Sequence, residues 1–420
     1  MQASPDTGDT DVLPVAKALQ TILSQVSPIT DTEILPLKQT LGRVLAADLI
    51  SPIDVPASDN SAMDGYALLS ADLDSQHAVT LRIVGYALAG HAHHGGVNAG
   101  ECVRIMTGAV VPADCDCVLP QEIAEAASAD EVTLPARSAR AGDNVRLAGE
   151  DLAKGQAALK QGRILTPADI GLIASLGIGD ITVMRKLRVA HFSTGDELRS
   201  VGQALDEGSV YDSNRYTLHG MLMRAGCEPL DLGVIKDDPA SIESAFQQAC
   251  KQADAVITSG GVSAGDADHT RQMMNKLGDV AFWKLAMRPG RPLAFGCIQS
   301  DGHHALMFGL PGNPVAVMVS FYFFARPALM KLAGATPPSL PTIRAISLHG
   351  IQKKTGRTEY QRGIASRSAD GQLSVRVTGA QGSGILSSMS DANCMIVLHD
   401  DQGSLNAGDL VDVLMFDGLM

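Results

Sequence analysis

The feature of this sequence that most constrains its fold is a repeated order of strand, glycine turn and helix between residues 187 and 325. Apolar runs at Leu187–Ser193, Ala255–Ser259 and Ala305–Leu310 each end in a turn that contains glycine, and a helical pattern follows each turn. This order is the βα unit, whose repetition builds a parallel sheet covered by helices on both faces. We therefore predict a doubly wound α/β domain with a parallel-type sheet. Its other predicted elements are the strands Glu228–Val234 and Pro292–Gly296 and the helices Ser213–Ala225, Pro239–Gln252 and His269–Leu277.

The regions on either side of this sheet have different patterns. Before it, helical spacing at residues 12–25, 32–47 and 149–185 encloses short alternating runs with many turns, which predict a small β domain. After the Pro/Gly-rich linker 331–340, further short runs predict a small C-terminal β barrel or sandwich. A chain of 420 residues is too long for one core, so we expect several domains.

The charge balance and the terminal segment exclude several classes of function. With 33 basic against 46 acidic residues and no Lys/Arg run, the chain lacks the basic face that nucleic-acid binding requires. Residues 1–11 are polar and acidic, so they predict a disordered segment and no secretory signal. The most apolar stretch, Pro314–Phe324, is too short to cross a membrane. We therefore expect a cytoplasmic protein that binds neither nucleic acid nor membrane.

Two clusters of potential metal ligands have ordinary explanations. Cys115 and Cys117 form a C-x-C pair with no second pair nearby, whereas a structural zinc site needs four ligands, so reduced thiols are favoured. His91, His93 and His94 lie in a glycine-rich loop without a neighbouring carboxylate, which favours a solvated turn over a metal site.

Four loops are expected at the carboxyl ends of the parallel strands, where open α/β sheets bind their ligands. Glycines in these loops let backbone N–H groups approach an anion, and the helices that follow add positive dipole ends. Carboxylates in the same loops repel phosphate, so they imply a Mg²⁺ ion between the two, while N-capping of the helices is the alternative role. The four loops are Ser193–Glu197, Asp237–Asp238, Ser259–Asp268 and Gly309–Pro314.

Basic residues oppose the acidic background in two places. The segment KLAMRPGRP, which begins at Lys284, holds Arg288 and Arg291 in a turn stiffened by prolines, and the forked donors of arginine suit tetrahedral oxyanions. A solvated turn is the alternative for this segment. The C-terminal region carries a weaker set of the same kind, which comprises Arg357, Arg362, Ser387 and Ser388.

Taken together, these motifs resemble the molybdopterin molybdenumtransferase family. They occur in the family's order between residues 59 and 363, which is more specific than any single glycine-rich motif. The matching segments are DNSAMDGYA (59–67), RIMTGA with a following Pro (104–112), NVR and GED (144–151), STGDEL (193–198), YDSN (211–214), SGGVSAGDADHT (259–270), MRPGRP (287–292), GLPGNP (309–314) and GRTEYQRG (356–363).

The resemblance implies an elongated homodimer and a defined reaction. Family members take adenylylated molybdopterin and molybdate, use Mg²⁺, release AMP and leave molybdenum on the pterin dithiolene. The implied parts are a disordered N-terminus (1–11), a linear helix-and-strand domain in two segments (12–50 and 150–185), an inserted β domain (51–149), a molybdopterin-binding α/β domain (186–335) and a C-terminal β barrel (336–420).

The resemblance also implies a role for each matching residue. The acidic positions around the nucleotide and Mg²⁺ are Asp196, Glu197, Asp237 and Asp268, of which the last three are also expected to be catalytic. Catalytic positions from the first half of the chain, acting within one subunit or across a dimer, are Asp59, Thr107 and Asp151. The substrate-binding positions are Ser193, Thr194, Gly195, Ser259, Gly260, Gly261, Ser263, Lys284, Arg288, Arg291, Pro311, Asn313, Pro314, Arg357, Arg362, Ser387 and Ser388.

This sequence departs from the family's pattern at several positions. Arg288 and Arg291 stand where Lys is common, and Ala316 stands where many relatives place Ser. The departures leave open which Arg contacts the oxyanion and whether tungstate replaces molybdate. Transient contacts with the molybdopterin adenylyltransferase and with recipient molybdoenzymes are open in the same way.

Two other functions are compatible with parts of the sequence. An enzyme that adenylylates molybdopterin would resemble only residues 186–335, and the long N-terminal half argues against it. A non-enzymatic scaffold of the same fold would carry long disordered linkers or further domains, and this chain shows neither.

Overall fold

The computed structural model describes residues 12–262, 269–336, 341–369 and 371–416. Its centre is a seven-stranded sheet. Four of the strands run parallel to one another. Single crossover helices join Arg188–Thr194 to Glu228–Ile235 and the latter to Ala255–Ser259, whereas a helix and two further strands of this sheet precede His303–Leu310. In spatial order the strands are Val12–Leu13, Gly278–Leu285, Pro292–Ser300, His303–Leu310, Ala255–Ser259, Arg188–Thr194 and Glu228–Ile235.

The α/β prediction is confirmed, but the sheet is mixed and not wholly parallel. Pro292–Ser300 runs antiparallel to both of its neighbours, and Gly278–Leu285 is a strand that the sequence pattern did not reveal. The cause is a tight hairpin at Asp301-Gly302, where both residues have positive φ (48° and 80°). Asp-Gly is a strong signal for such a turn, and it reverses the chain without a helix.

Helices cover both faces of the sheet, and their predicted positions are close to those observed. One face carries Ser213–Arg224, Val15–Gln25 and the segment Pro314–Leu332, and the other carries Pro239–Gln252 and His269–Leu277. The side chains of Asp212 and Asp238 cap two of these helices by accepting backbone N–H groups at 3.2 and 2.9 Å.

The segment Pro314–Leu332, called the long helix below, is continuous but changes its winding. It consists of an α-helical part (Pro314–Ser320), a π turn (Phe321–Ala325) and a second α-helical part (Arg326–Leu332). It is longer than the apolar stretch predicted from the sequence, and by length and composition alone it could cross a membrane. Most of its apolar surface is buried in the protein, as in the core helix of a globular domain.

The linear part differs most from its prediction. Residues 32–47 do not form a helix: Thr32–Pro36 is a strand paired with Asp180–Met184, and Leu37–Gln39 is a single 3₁₀ turn. Between residues 149 and 185 only Pro167–Ser175 is an α-helix, and Thr166 and Asp169 form a capping box at its start. The strands Leu49–Ile50 and Ala157–Leu159 pair beside it. Alternating exposure along Thr32–Pro36 is the strand pattern that helical spacing had obscured.

The inserted region forms a six-stranded sheet, so the predicted β runs are strands. In spatial order they are Cys117–Pro120, Gly65–Leu68, Glu101–Ile105, Val79–Ala87, Glu131–Leu134 and Ala126–Ala127. A separate two-stranded ladder joins Asn60–Ser61 to Val145–Arg146. Short 3₁₀ turns occur at Ser70–Leu73 and Gln121–Ile123.

The C-terminal region is a closed barrel built on a second six-stranded sheet. Its strands in order are Met287–Arg288, Thr358–Arg367, Leu373–Val377, Ile343–Ser347, Leu410–Met415 and Cys394–Leu398, and Thr358–Arg367 also pairs with Cys394–Leu398. A short helix, Ser387–Asp391, lies in the chain between the barrel strands Leu373–Val377 and Cys394–Leu398. The strand Met287–Arg288 comes from the basic turn of the α/β region, so this turn joins the two sheets.

Candidate active site

Loops at the carboxyl ends of the parallel strands converge on one edge of the seven-stranded sheet. The backbone N–H of Gly260 donates to the carbonyl of Leu310 at 3.1 Å. Asn214 lies at the start of the helix Ser213–Arg224, and its side-chain amide donates to Ser259 Oγ and to the carbonyl of Gly312, both at 2.7 Å. One asparagine therefore ties together two of the predicted ligand-binding loops.

Glycine is required where these loops touch. Gly260 has φ of 92°, and a Cβ there would lie 3.0 Å from the carbonyl oxygen of Thr194. Gly261 has φ of 67°, and a Cβ there would lie 2.5 Å from the side chain of Thr270. The backbone at both glycines therefore approaches its neighbours more closely than a side chain would allow.

The acidic residues of the first loop lie beside those of the second. Asp196 and Glu197 are exposed, and the backbone N–H of Asp237 donates to Asp196 Oδ1 at 3.4 Å. Beneath them Ser193 is buried and donates its hydroxyl to Asp212 at 3.1 Å, and Thr270 Oγ1 contacts Thr194 Oγ1 at 3.4 Å. Within the described residues no group of three potential metal ligands is preformed. Asp268 and Ser263, also predicted for this site, lie outside the described residues.

The basic turn lies between the sheet and the barrel. Lys284 is in the last part of a sheet strand and is exposed, as are Arg288 and Arg291. The backbone N–H of Leu285 donates to the carbonyl of Arg291 at 2.7 Å, which closes the turn. Gly290 packs against the long helix so closely that a Cβ would lie 2.7 Å from Ser320 Oγ. At the start of that helix Pro314 is the first residue and Asn313 is its N-cap, just after Pro311.

A cavity of about 230 Å³ separates this turn from the barrel. Arg288 lines it from the turn, and Arg362 lines it from the barrel strand Thr358–Arg367. The other polar residues that line it are Gln352, Glu359, Gln361 and Gln381. Tyr360, in the same strand, stacks on Phe323 of the long helix with ring centroids 4.0 Å apart, which fixes the barrel against the sheet domain.

Arg362 is the most unusual charge in the cavity. Its side chain is 1% exposed, and its donors go to neutral oxygens: Nε to Ser388 Oγ at 2.9 Å and Nη2 to the carbonyl of Gly382 at 2.9 Å. Burial, together with the smaller effect of the positive charge of Arg288, lowers the pKa of Arg362 to about 10. The guanidinium therefore remains charged at neutral pH, and no carboxylate ion pair holds it in the part of the chain that the structure describes.

Arg357 was predicted to share this role, but its environment is different. Its Nε and Nη2 atoms both lie 2.9 Å from Glu359 Oε1, so a buried carboxylate balances its charge. The two predicted serines also differ: Ser388 is buried and accepts from Arg362, whereas Ser387 is exposed. The geometry therefore groups Arg288, Arg362 and Ser388 around the cavity and sets Arg357 apart.

The residues predicted from the first half each bond to different neighbours in or beside the inserted β domain. Asp59 accepts the backbone N–H of Ala148 at 2.7 Å. Asp64 accepts the N–H and hydroxyl of Thr107 at 2.7 and 2.8 Å, and these bonds hold the pKa of Asp64 below its ordinary value. Asp151 donates its backbone N–H to Val55 at 3.1 Å. The bonds of Asp59 and Thr107 thus stay within the inserted β domain, whereas the bond of Asp151 joins the segment after that domain to Val55.

The histidine cluster divides into two kinds of residue. His91 and His94 are exposed, as expected for a solvated turn. His93 instead packs between two glycines, because a Cβ on Gly85 or Gly95 would lie 2.5 or 2.7 Å from its ring. Glycine at both positions leaves room for the ring.

Sequence reasoning missed two residues that organise the site. Asn214 bridges the loops described above, and the segment YDSN that contains it was the available signal. Gln381 contacts the backbone of Arg362 on both sides, with Arg362 N–H donating to its Oε1 at 2.8 Å and its Nε2 donating to the Arg362 carbonyl at 3.2 Å. No spacing or composition marked Gln381, because its partner is distant in sequence.

Comparison with known proteins places the whole chain. Residues 13–177 match the MoeA N-terminal region (domain I and II), residues 190–331 match a probable molybdopterin binding domain, and residues 344–416 match the MoeA C-terminal region (domain IV). A molybdopterin molybdenumtransferase of Haemophilus influenzae is 41% identical over 97% of this chain and 100% of its own length. Another from a Nostoc species is 32% identical over 98% of this chain and 94% of its own.

Solved structures give the same result for the fold. A molybdopterin biosynthesis moeA protein from Pyrococcus horikoshii superposes with a TM-score of 0.83 at 28% identity, covering 96% of this chain and 100% of that one. A second structure of a moeA protein from Pyrococcus gives 0.74 at 30% identity, covering 96% and 99%.

Fold and site together define a multidomain α/β enzyme with a molybdopterin-binding type of sheet and a closed C-terminal barrel. The chain belongs to the molybdopterin molybdenumtransferase family. The match over the full length favours this enzyme class over the smaller adenylylating enzyme and over a scaffold.

Proposed function

We propose that this protein inserts molybdenum from molybdate into adenylylated molybdopterin, with Mg²⁺-dependent release of AMP. The observation that carries the proposal is Arg362, a buried guanidinium that is bonded to neutral oxygens and lines a small cavity together with a second arginine. Two positive charges held together cost free energy unless an anion joins them. A cavity of about 230 Å³ admits a tetrahedral oxyanion such as molybdate.

The glycine loops supply the place for the pterin nucleotide. The backbone N–H groups near Gly260 and Gly261, with the helix starts that follow, suit the phosphates. Ser193, Thr194, Gly195 and Ser259 line the same edge, as do Pro311, Asn313 and Pro314 of the neighbouring loop. The hydrogen bond from the backbone N–H of Val315 to the carbonyl of Ser383, at 3.0 Å, joins this edge to the barrel side of the cavity.

The acidic side of the edge fits a magnesium ion that is shared with substrate. Mg²⁺ usually takes one or two carboxylates and completes its octahedron with phosphate oxygens and water. Asp196 and Asp237 lie side by side and exposed, which fits such a site, and Glu197 and Asp268 are proposed to complete it. The ion, when bound, would offset the charge that develops on the phosphates as AMP leaves.

The protein's own residues then have separate tasks. Arg288 and Arg362 hold the oxyanion. Lys284 and Arg291 add positive charge at the two ends of the basic turn. The loops at the sheet edge orient the pterin, so the two substrates meet without having to find each other in solution. Arg357 is proposed to act through its partner Glu359, which lines the cavity.

We further propose that Asp59, Thr107 and Asp151 act on the site of a second copy in a homodimer. Each of these residues is bonded to the inserted β domain of its own subunit, so they are organised as a preformed surface. Mixing an Asp59→Ala variant with an Arg362→Ala variant would test this, since each mixed dimer would regain one complete site. A mixture no more active than its components would remove these residues from the partner's site.

We also propose that the protein is cytoplasmic and that it makes transient contacts with the adenylyltransferase and with recipient molybdoenzymes. The domain boundaries given above are proposed as well, except that residues 12–25 belong with the seven-stranded sheet, to which they contribute a strand and a covering helix. The central test is to incubate the purified chain with adenylylated molybdopterin, Mg²⁺ and molybdate. We expect AMP release and a product that activates a molybdenum-free molybdoenzyme. AMP release without activation, or neither, would contradict molybdenum insertion.

A further inference from the structure

The loop Thr378–Ser388, called the clamp loop below, surrounds one residue of the neighbouring strand. It reaches the backbone of Arg362 through Thr378 and Gln381 and reaches the guanidinium through Gly382 and Ser388. All of these contacts go to a single side chain and its peptide groups. The clamp loop is thus organised around Arg362 and not around the barrel core.

Gln381 occupies a special place in this arrangement. The strands Thr358–Arg367 and Leu373–Val377 pair as far as Gly363 and Val377, so Arg362 is the first residue beyond their ladder. There the side chain of Gln381 makes the hydrogen bonds that a neighbouring strand would otherwise make. It accepts the Arg362 N–H at 2.8 Å and donates to the Arg362 carbonyl at 3.2 Å. An amide does this because it carries both an acceptor and donors.

The position of the guanidinium depends on this backbone anchor. Arg362 is 1% exposed and bonded to neutral oxygens, and among the described residues no carboxylate is paired with its charge. Its direction is set by the strand from which it projects and by Ser388, whose hydroxyl donates to the Ile385 carbonyl at 2.6 Å and therefore accepts from Arg362. A displacement of about 1 Å at such a residue can cost about 100-fold in activity.

We propose that Gln381 is a positioning residue of the oxyanion cavity: it holds the backbone of Arg362 so that the guanidinium faces Arg288 across the cavity. The proposal rests on the proposed function, because it assigns the cavity to an oxyanion. Gln381 itself lines the cavity, but its amide atoms are already bonded to Arg362, to Thr378 Oγ1 at 3.4 Å and to the carbonyl of Gly379 at 3.3 Å. It therefore acts through Arg362.

The clamp loop also connects the cavity to the pterin side of the site. The carbonyl of Ser383 accepts the backbone N–H of Val315, which belongs to the first turn of the long helix. Loss of the Gln381 bonds should therefore change oxyanion binding first, because the Ser383 link to the pterin loop does not depend on the Gln381 side chain.

The test measures molybdate binding by calorimetry and the molybdate concentration for half-maximal AMP release, both with the full chain. Gln381→Ala should raise the dissociation constant of molybdate about tenfold, while the maximal rate at saturating molybdate and the affinity for adenylylated molybdopterin change little. Gln381→Glu keeps the acceptor for the Arg362 N–H but adds a negative charge beside the cavity. Its dissociation constant for molybdate should therefore rise more than that of Gln381→Ala. Gln402→Ala is the matched control, since the side chain of Gln402 also accepts a backbone N–H in the barrel, that of His399 at 2.7 Å, and Gln402 is not among the residues that line the cavity.

A double-mutant cycle separates positioning from a general structural role. In an Arg362→Lys background, Gln381→Ala should weaken molybdate binding by less than about twofold, because the residue it positions has already been changed. Equal effects in both backgrounds, or wild-type affinity in Gln381→Ala, would overturn the role of Gln381 and leave the proposed function standing. If the unaltered chain does not bind molybdate at all, the oxyanion cavity and the proposed function fall, and this inference falls with them. Should Gln381→Ala fail to fold, Gln381→Glu alone decides, with unchanged affinity contradicting the proposal.

Discussion

The edge of the seven-stranded sheet and the cavity beside the barrel each contain a buried base, and burial has opposite consequences in the two places. His191 lies in the strand that leads to the acidic loop, is fully buried, and has its pKa lowered to about 4, mainly by burial. Arg362 lies beside the cavity and has its pKa lowered to about 10, also mainly by burial. At neutral pH the first is uncharged and the second is charged.

This difference in charge indicates that the two regions bind different ligands. The sheet edge stays acidic and suits phosphate only with a divalent ion, whereas the cavity keeps a positive charge that needs an anion. Arginine is the one side chain whose charge survives such burial, since its ordinary pKa is so high. We expect variants in one region to leave the ligand of the other unaffected, and the predictions below test this division.

The largest effect is expected from Arg362→Ala. Removal of this cation should reduce molybdate-dependent product formation by about 100-fold or more, a range typical of losing one buried group that stabilises charge. Steady-state rates at varied molybdate concentration would measure it. Arg376→Ala removes an exposed arginine from the adjacent barrel strand and serves as the control. If pterin affinity fell while molybdate affinity held, the cavity would belong to the pterin phosphate instead.

A smaller effect, on stability, is expected from His191. The unfolded chain takes up a proton at this imidazole near pH 6.5, whereas the folded chain does so only near pH 4. The free energy of unfolding therefore keeps its full value above pH 6.5 and decreases as the pH falls towards 4, by about 3 kcal/mol in all.

Urea unfolding between pH 4.5 and 7.5 would measure this loss. His191→Asn should flatten the slope of unfolding free energy against pH, and His349→Gln, which changes an exposed histidine, should not. The neighbouring charges of Asp231, His219 and Arg215 act on the same imidazole, with Asp231 opposing the effect of burial. An unchanged slope in His191→Asn would mean that other groups dominate acid stability.

What could be predicted from the sequence follows from how local each signal is. The helices Pro239–Gln252 and His269–Leu277 were placed within their true bounds because capping residues and apolar spacing are local. Thr32–Pro36 was mistaken for a helix because its strand partner, Asp180–Met184, lies far along the chain. The Asp301-Gly302 hairpin was readable but was overlooked beside the stronger βα pattern.

The candidate site divides in the same way. Glycines and carboxylates at Thr194–Glu197 and Ser259–Gly261 sit in continuous motifs, so they could be named from the sequence. Arg357 and Arg362 could not be distinguished, because both belong to one basic motif and only the folded barrel pairs the first with Glu359. Gln381 could not be identified from the sequence, because its contact with Arg362 depends on where the ladder between two barrel strands ends in the folded protein.

On the acidic side, Asp196→Asn should lower the rate of AMP release about tenfold. The change keeps the size of the side chain and removes one negative charge from the proposed ion site. Titration of the rate with Mg²⁺ should show a higher concentration requirement, while molybdate binding measured by calorimetry stays as in the unaltered chain. Asp206→Asn, which changes an exposed partner of Arg199, is the control. A rise in the molybdate dissociation constant would contradict the division between the two regions.

The smallest effect is expected from the glycines of the sheet edge, and a matched pair isolates it. Gly260 and Gly202 have nearly the same φ, 92° and 94°, so an alanine at either pays a similar backbone strain of about 1 kcal/mol. A Cβ at Gly260 would also lie 3.0 Å from the Thr194 carbonyl, whereas a Cβ at Gly202 meets nothing within 4 Å. The difference in unfolding free energy between the two variants should therefore be under about 1 kcal/mol and should measure the crowding alone.

Gly260→Ala should in addition weaken binding of adenylylated molybdopterin, because the new methyl group narrows the approach to the loop N–H groups. Equal pterin affinity in the two variants would mean that this part of the edge does not touch the nucleotide.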